Sequence, residues 1–426
     1  MSLLQETSHD PTTTAVTDWA YVSEGGATMV FSYVGQKHPT FTHRVLRVRK
    51  VALGHYDEVD DEEVKEEPDD PSIAFQNSVI ALLLPTDNLP KLESVHVNRQ
   101  WLRELALSAT NKRPELRRLK DDIDLTRRKA VLATDLVGGR GWAVEIKPKW
   151  AFLPNPAYLS SETRETKLRN CRFCMHSTRK TAEGEKAALG YCPLDLFSGD
   201  KTRVSNALAS LWNAWVRTEG HINNLKIFVG GELIQPKNQV GERLAPILLI
   251  PQESTPDEML PAFQKALLPL LIESQLLAKL GTLQRTLDAL DIEGLRHFWQ
   301  KSSTRTDGPI GADSPDPSMI DWIEFAKDYS GNKTRPTPPL DSSMDDATLR
   351  FYIMGYLLSA TFKDCSVILR LSAKDMEDSI TAIDLDPKKI ERLETWENQD
   401  SRIVHGFRDA LRQGEVTIDP CSDAGR

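Results

Sequence analysis

Apolar and polar positions alternate from the first part of the chain. The string YVSEGGATMVFSY after Trp19, a turn at 35–39, and RVLRVRKVAL beyond it read as two strands joined through a short connection. The apolar stretch 78–85, ended by a proline, reads as a strand, and 101–108 as a helix that completes a small α+β unit. A further apolar strand at 130–132 leads into ATDLVGGRG, a crossover between two lobes, and 141–146 forms the next strand, ending in Lys-Pro-Lys at 147–149. Apolar residues then recur at three-to-four spacing over 205–218 and 257–272, which predicts helices, while 225–229 is a strand closed by Gly230 and Gly231. Two stretches rich in Ser, Gly, Pro and Asp, 302–317 and 331–343, read as surface loops or partly disordered insertions. A helix near 349–361, a strand at 366–371, a short piece at 382–385 and a last helix from about Pro387 complete the pattern, without internal repeats. The expectation is an α+β chain with an N-terminal lobe over 1–134 and a C-terminal lobe over 135–426.

Composition narrows the class. With 40% hydrophobic and 27% charged residues over 426 positions, the chain is not disordered, collagen-like or a coiled-coil rod. No apolar run approaches the roughly 18–20 residues of a membrane helix, so no membrane partner is expected. Residues 1–14 resemble neither a secretory signal nor a transit peptide, which argues for nucleus or cytoplasm. Five cysteines are too few and too clustered for a disulfide framework and read as reduced thiols.

Charge is unevenly placed. The run YDEVDDEEVKEEPDD holds ten acids and one lysine, which equals the whole net charge of −9, and reads as a solvated acidic loop over 57–70. Bases gather elsewhere: eight against four acids over 112–129, and eight against two over 147–180. Those segments suit an anion. Nucleic acid is not expected, because charge is balanced elsewhere and aromatics are only 7%.

Several short strings carry candidate chemistry. In EGGATMVF the pair Gly25 and Gly26 would let backbone amides approach phosphates, although such a pair is also an ordinary tight turn. Arg47 in the next strand could add a cation there, or be a plain surface arginine. Lys147 and Lys149 share one face of an extended segment stiffened by Pro148; they suit an anion as well as a solvated strand edge. Arg117, Arg179 and Lys180 would join that electropositive surface. Cys171, Cys174 and His176 hint at zinc, but a structural site needs four ligands and only Cys192 lies near, so zinc is not expected and packed thiols are the alternative. Asp364, Asp384 and Asp386 stand beside strand-like runs, where phosphotransferases hold magnesium and accept a hydroxyl proton and where caps and turns also use aspartate. A helix from Pro387 would put Lys388, Arg392 and Trp396 on one face.

Together EGGATMVFSY, RPELR, VEIKPK, RFCMH, CPLDLFSG, NNLKIF, KDCS and DLDPK resemble the inositol-pentakisphosphate 2-kinases, in family order from Trp19 to about Trp396. The resemblance implies a two-lobed α+β inositol phosphate kinase fold distantly similar to protein kinases. It implies Mg2+ and ATP-dependent phosphorylation of the 2-hydroxyl of inositol 1,3,4,5,6-pentakisphosphate to inositol hexakisphosphate, phytate. By position, Glu24, Gly25, Gly26, Ala27, Thr28 and Arg47 would meet ATP phosphates, and Thr134, Asp135 and Leu136 the adenine. Lys147 would serve both ATP binding and catalysis, with Asp364 as the base and Asp384 and Asp386 as metal ligands. Arg117, Lys149, His176, Lys180, Asn223, Asn224, Lys388, Arg392 and Trp396, where plant relatives carry tyrosine, would bind substrate. A monomer is expected. The competing readings are a non-catalytic inositol polyphosphate-binding module and a kinase for another inositol polyphosphate.

Overall fold

The computed structural model describes residues 9–54, 67–139, 141–237, 240–301, 308–312, 314–331, 338–340, 342–372, 377–414 and 419–423. The chain divides into two compact units, one drawn from Met1–Ala74, Pro90–Trp142 and Phe228–Leu233, the other from Phe75–Leu89, Ala143–Ile227 and Ile234–Arg426.

The first unit is built on β1 (Trp19–Glu24), β2 (Thr28–Tyr33), β3 (Arg44–Ala52), β4 (Leu92–His96), β5 (Asp121–Ile123) and β6 (Lys129–Thr134). The sheet order is β1-β2-β3-β6-β4, with β5 beside β3, and these pairings are antiparallel. The stretch read as two strands is thus three, because Gly25 and Gly26 turn β1 back onto β2. Alternation along β3 sends Leu46 and Val48 to a core with Phe31 and Leu132, and Val45 to a smaller cluster with Leu92 and Val131. The residues read as a strand at 78–85 fold instead as the end of α1 (Pro71–Ser78) and a 3-10 turn at Ile80–Leu82. A continuous apolar run has no period to tell strand from buried helix, and here it was the latter. Over α2 (Arg99–Ala109) the buried positions Trp101, Leu102, Leu105 and Ala109 form one stripe, and the Asn98 side chain caps the start by accepting from the Trp101 amide at 2.9 Å. The short α3 (Glu115–Arg118) follows.

Beyond β6 the chain carries β7 (Gly141–Ile146), α4 (Arg164–Arg169), α5 (Arg172–Ala182), α6 (Pro193–Leu196), α7 (Lys201–Arg217), β8 (Leu225–Val229), β9 (Glu232–Leu233), α8 (Ala245–Leu248), α9 (Pro256–Glu273), α10 (Gln275–Leu287), α11 (Asp291–Lys301), α12 (Met319–Gly331), α13 (Asp346–Asp364), β10 (Ser366–Ser372), β11 (Ser379–Ile383) and α14 (Arg392–Arg412), most of it in the second unit. Its sheet runs β11-β10-β7-β8-β9, the β8–β9 hairpin tip belonging to the first unit. No single helix among the described residues is long and apolar enough to cross a membrane. Helix α13 is buried on every side rather than along one stripe, which marks it as the central helix. Gly355 lets it approach α10: a Cβ there would stand 2.9 Å from the Leu287 carbonyl oxygen. Lys167 ties α4 to α11 and α14, its ammonium 2.7 Å from Asp291, 2.9 Å from Glu293 and 2.9 Å from Asp400.

The predicted loops are partly docked. Of the acidic run, 57–66 lies outside the described residues, but Glu67, Asp69 and Asp70 are not simply solvated: they pair with Arg127 at 2.9 Å, Lys129 at 2.9 Å and Arg49 at 2.7 Å. In the 302–317 stretch, 302–307 and 313 are outside the described residues, while Gly308 accepts from Arg296 at 2.8 Å and Asp316 from the Ile390 amide at 2.9 Å. In the 331–343 stretch, 332–337 and 341 are outside, and the Leu340 carbonyl accepts from Lys301 at 2.7 Å.

Candidate active site

Two short backbone devices set the chemistry of the second unit. Strand β7 ends at Ile146, and Lys147 continues it only as far as a mutual clasp with Asn224, whose carbonyl oxygen accepts from the Lys147 amide at 3.1 Å and whose side chain donates to the Lys147 carbonyl at 3.3 Å. The Pro148 carbonyl then accepts from the buried Tyr191 hydroxyl at 2.9 Å. Lys149 adopts φ 67°, a left-handed conformation that costs a non-glycine residue about 1–2 kcal/mol. The two lysines were expected to share one face of an extended segment. The turn at Lys149 instead sends them to different partners, Lys147 to Asp384 at 3.8 Å and Lys149 to Asp364 at 2.9 Å.

Asp364 is the last residue of α13, so the central helix delivers a carboxylate at its C-terminal end. Burial opposes its charge, but Lys149, with Lys147 and Lys388 behind it, holds the carboxyl below the usual carboxylate range. Gln284 braces this pair. Fully buried on α10, it accepts from the Ala151 amide at 2.9 Å and donates to the Lys149 carbonyl at 3.1 Å and the Phe362 carbonyl at 3.0 Å. Asp384, just beyond β11, also takes a left-handed φ of 61° and accepts from Ser366 at 3.4 Å. The Asp386 carbonyl accepts from the Thr361 hydroxyl at 2.8 Å, which leaves its carboxylate at the surface.

A cavity of about 760 Å³ opens beside Asp364, a size suited to a small organic ligand. Its lining brings together Lys149, His176, Lys180, Asn223, Asn224, Lys388, Arg392 and Trp396, all singled out in the sequence. Among the described residues it presents eight lysine and arginine side chains against two carboxylates, Asp364 and Glu391. Helix α5 supplies Arg172, His176 and Lys180 at four-residue spacing, which places them on one face. Burial, and then Arg172, Lys180 and Arg179, push the His176 pKa down to about 4, so the imidazole is neutral at neutral pH. Lys180 pairs with the exposed Glu185 at 2.8 Å. Helix α14 begins at Arg392, not at Pro387, so Lys388 reaches the cavity from the preceding turn rather than from a helical stripe. Proline at 387 suits a helix start, but here it precedes a loop that carries Lys388 and Lys389.

Sequence reading missed part of this wall. Trp150 lies between two cations, the Arg172 guanidinium at 4.8 Å and the Lys363 ammonium at 3.8 Å from its ring centre. Lys363 also pairs with buried Asp288 at 2.5 Å. Lys186 and Lys389 line the cavity as well. Arg172 was legible as the residue four before His176; Lys363 and Trp150 had no pattern of their own. Arg179, expected on this surface, is instead neutralised by Glu183 at 2.6 Å and packs against Gly406 of α14.

The groups predicted to meet ATP phosphates and adenine lie mostly in the first unit. Gly25 and Gly26 have no positive φ, and a Cβ at either would meet nothing within 4 Å. Neither turn geometry nor packing among the described residues asks for glycine there, which favours the phosphate-approach reading over the plain turn. Glu24 is committed elsewhere: its buried carboxylate pairs with Lys50 at 2.9 Å and with Arg113 at 2.9 Å, leaving its backbone to line the turn before Ala27 and Thr28. Arg117 donates to the Gly25 carbonyl at 3.4 Å, so it stands over the glycine turn and not in the cavity of the second unit. Arg47 lies on β3 opposite Val30 and Val131. Asp135 is buried, accepting from Ser32 and from the Val137 and Gly138 amides at 3.0 and 2.7 Å; its side chain shapes the turn. Thr134 accepts from the Lys91 amide at 2.9 Å, and Leu136 is half-buried beside it.

A cation-rich cavity with an ionised aspartate at its edge defines a protein that takes a small, multiply anionic ligand. The model of the family described as inositol-pentakisphosphate 2-kinase matches residues 21–402. A relative of that name from Cryptococcus neoformans is 33% identical over 410 residues, covering 92% of this chain and 93% of its own. One from Arabidopsis thaliana is 25% identical over 459 residues, covering 94% and 95%, and one from Danio rerio is 34% identical over 228 residues, covering 51% and 44%. The chain belongs to the inositol-pentakisphosphate 2-kinase family.

Proposed function

We propose that this protein transfers the γ-phosphate of ATP to the axial 2-hydroxyl of inositol 1,3,4,5,6-pentakisphosphate, giving inositol hexakisphosphate. The observation that carries the reading is Asp364: a carboxylate kept ionised by Lys149 at the edge of a cavity otherwise dominated by cations. Anion binding alone gains nothing from a negative group there, whereas phosphoryl transfer needs an acceptor for the hydroxyl proton.

The roles follow from chemistry and position. Arg172, His176, Lys180, Lys388 and Arg392 hold substrate phosphates, and Asn223 and Asn224 hydrogen-bond them. Trp396, with the Arg392 guanidinium 5.8 Å from its ring centre, gives the ring or a phosphate an apolar and N–H surface. Lys149 orients Asp364, which takes the hydroxyl proton at a carboxylate oxygen. Lys147 meets the transferring phosphate. Asp384 and Asp386 offer the hard oxygen donors that Mg2+ takes, and the ion when bound offsets charge on the ATP phosphates. The glycine turn, Arg47 and Arg117 meet the nucleotide phosphates, with the 134–136 segment at the adenine. On this reading the chain has a kinase-like two-lobed fold, 1–134 forming the ATP-side lobe and 135–426 the inositol phosphate lobe.

Incubation with ATP, Mg2+ and the pentakisphosphate, resolved by anion-exchange chromatography, tests the reading. A hexakisphosphate peak is expected, and Asp364→Asn should cut its rate by about 10²–10⁴-fold while calorimetry shows substrate affinity kept. Undiminished activity removes Asp364 from the mechanism. Tight binding without product in the unmutated protein supports the binding-module alternative instead.

A further inference from the structure

The cavity wall contains an aromatic ring that carries two cations. Lys363, the residue before Asp364, buries its ammonium 3.8 Å from the Trp150 ring centre, 4.7 Å from that of Tyr356 and 5.3 Å from that of Phe152. Its carboxylate partner is Asp288 at 2.5 Å, the two side chains being 3% and 1% exposed. A charge taken so far out of water is costly unless it is paired, so Asp288 and the ring faces fix the ammonium in place. Burial lowers the Lys363 pKa below the ordinary lysine range, and Asp288 opposes that fall.

Arg172 is the second cation, its guanidinium 4.8 Å from the same ring centre. From α5 it donates through Nε to Asp400 at 3.1 Å and through Nη2 to Gln399 at 3.5 Å, and it lines the cavity. Among the described residues Nη1 has no protein partner, which leaves one end of the fork for a ligand. A long arginine side chain loses rotamer freedom when it grips a phosphate, and a platform that holds it beforehand removes that cost from binding. Ring and ammonium come from different elements, Trp150 from the segment after the left-handed turn at Lys149 and Lys363 from the end of α13. The turn that brings Lys149 to Asp364 therefore also brings Trp150 to Lys363.

We propose that Trp150 is a positioning residue for substrate binding: its ring, fixed by the buried Lys363 ammonium, holds the Arg172 guanidinium ready for a substrate phosphate. The attraction of each cation to the ring face carries the effect, so it depends on the electron density of the indole and not only on its volume. This rests on the function proposed above, in which Arg172 holds a phosphate of the pentakisphosphate.

The test replaces Trp150 in the full chain, site-specifically, with mono-, di- and trifluorotryptophan, which drain the ring face while nearly keeping its shape. The KM for the pentakisphosphate should rise stepwise, reaching about fivefold or more, with kcat and the KM for ATP little changed. Trp150→Leu should raise it about five- to thirtyfold and Trp150→Phe should restore most of the loss. In an Arg172→Ala background Trp150→Leu should add almost nothing. A fluorination series without effect would overturn the proposal by making the ring a packing group, and additive effects of the Trp150 and Arg172 changes would overturn the link between them. Calorimetry with the pentakisphosphate reads the same order of affinities without turnover. A chain that binds it but forms no hexakisphosphate would therefore sink the proposed function while still deciding this inference, and an unmutated chain that does neither would overturn both.

Discussion

Side chains in the cavity differ chiefly in how burial and neighbours set their charge. His176 is the clearest case: its pKa falls to about 4 in the folded chain, against an ordinary value of about 6.5. Between those values the unfolded chain takes up a proton that the folded chain refuses. Stability from this group is therefore complete above about pH 6.5 and is lost as pH falls toward 4. His176→Gln should flatten the decline in melting temperature between pH 6.5 and 4.5, and an unchanged decline would mean the imidazole is not buried as described. A polyphosphate reverses the local sign, so substrate binding near pH 6 should take up protons, measurable by calorimetry in buffers of unequal ionisation heat. The charges of Lys147, Lys149, Asp364 and Asp384 were legible in the sequence; their pairing was not. It depends on one residue, Lys149, taking a left-handed turn that no local string demands. Glu24 and Asp135, expected from the resemblance to meet ATP, have carboxylates that serve the fold.

Elements with a clear period were read well. Strands at 141–146 and 225–229 and the helices near 205–218 and 257–272 match the sequence pattern within a few residues. Where the run was uniformly apolar, at 78–85, no period existed to read, and where a proline offered a helix start, at 387, the chain delayed the helix to Arg392. No pattern could reveal Gln284, whose importance lies in joining three elements: α10, the segment after β7 and the end of α13. Gln284→Leu keeps the volume but strands an amide and two carbonyls, each at a cost of about 1–3 kcal/mol. It should lower stability in denaturant melts and reduce kcat by about tenfold or more, since Lys149 and Asp364 lose their common brace, with little change in the KM for ATP. Full activity in a correctly folded variant would make Gln284 a packing residue only.

Across the whole chain, negative and positive charge are segregated. The run 57–70 carries the net charge of −9, while the cavity lining is strongly cationic. Fields of this kind raise encounter rates with an opposite charge and are screened within about 10 Å at 0.1 M salt. Raising ionic strength from about 0.05 to 0.5 M should therefore lower kcat/KM for the pentakisphosphate on the order of tenfold. A salt-independent kcat/KM would show that contact geometry alone governs capture. Family membership was legible because short motifs persist in order, whereas the support of Trp150 by Lys363 was not, since the two meet only through the folded chain. Lys149 and Asp384 both hold backbone conformations that glycine would adopt without strain. Any redesign guided by stability alone would replace them, improving the melting curve while deleting the charges that pair with Asp364 and Lys147, so thermostable variants of this chain should be sought with both positions frozen.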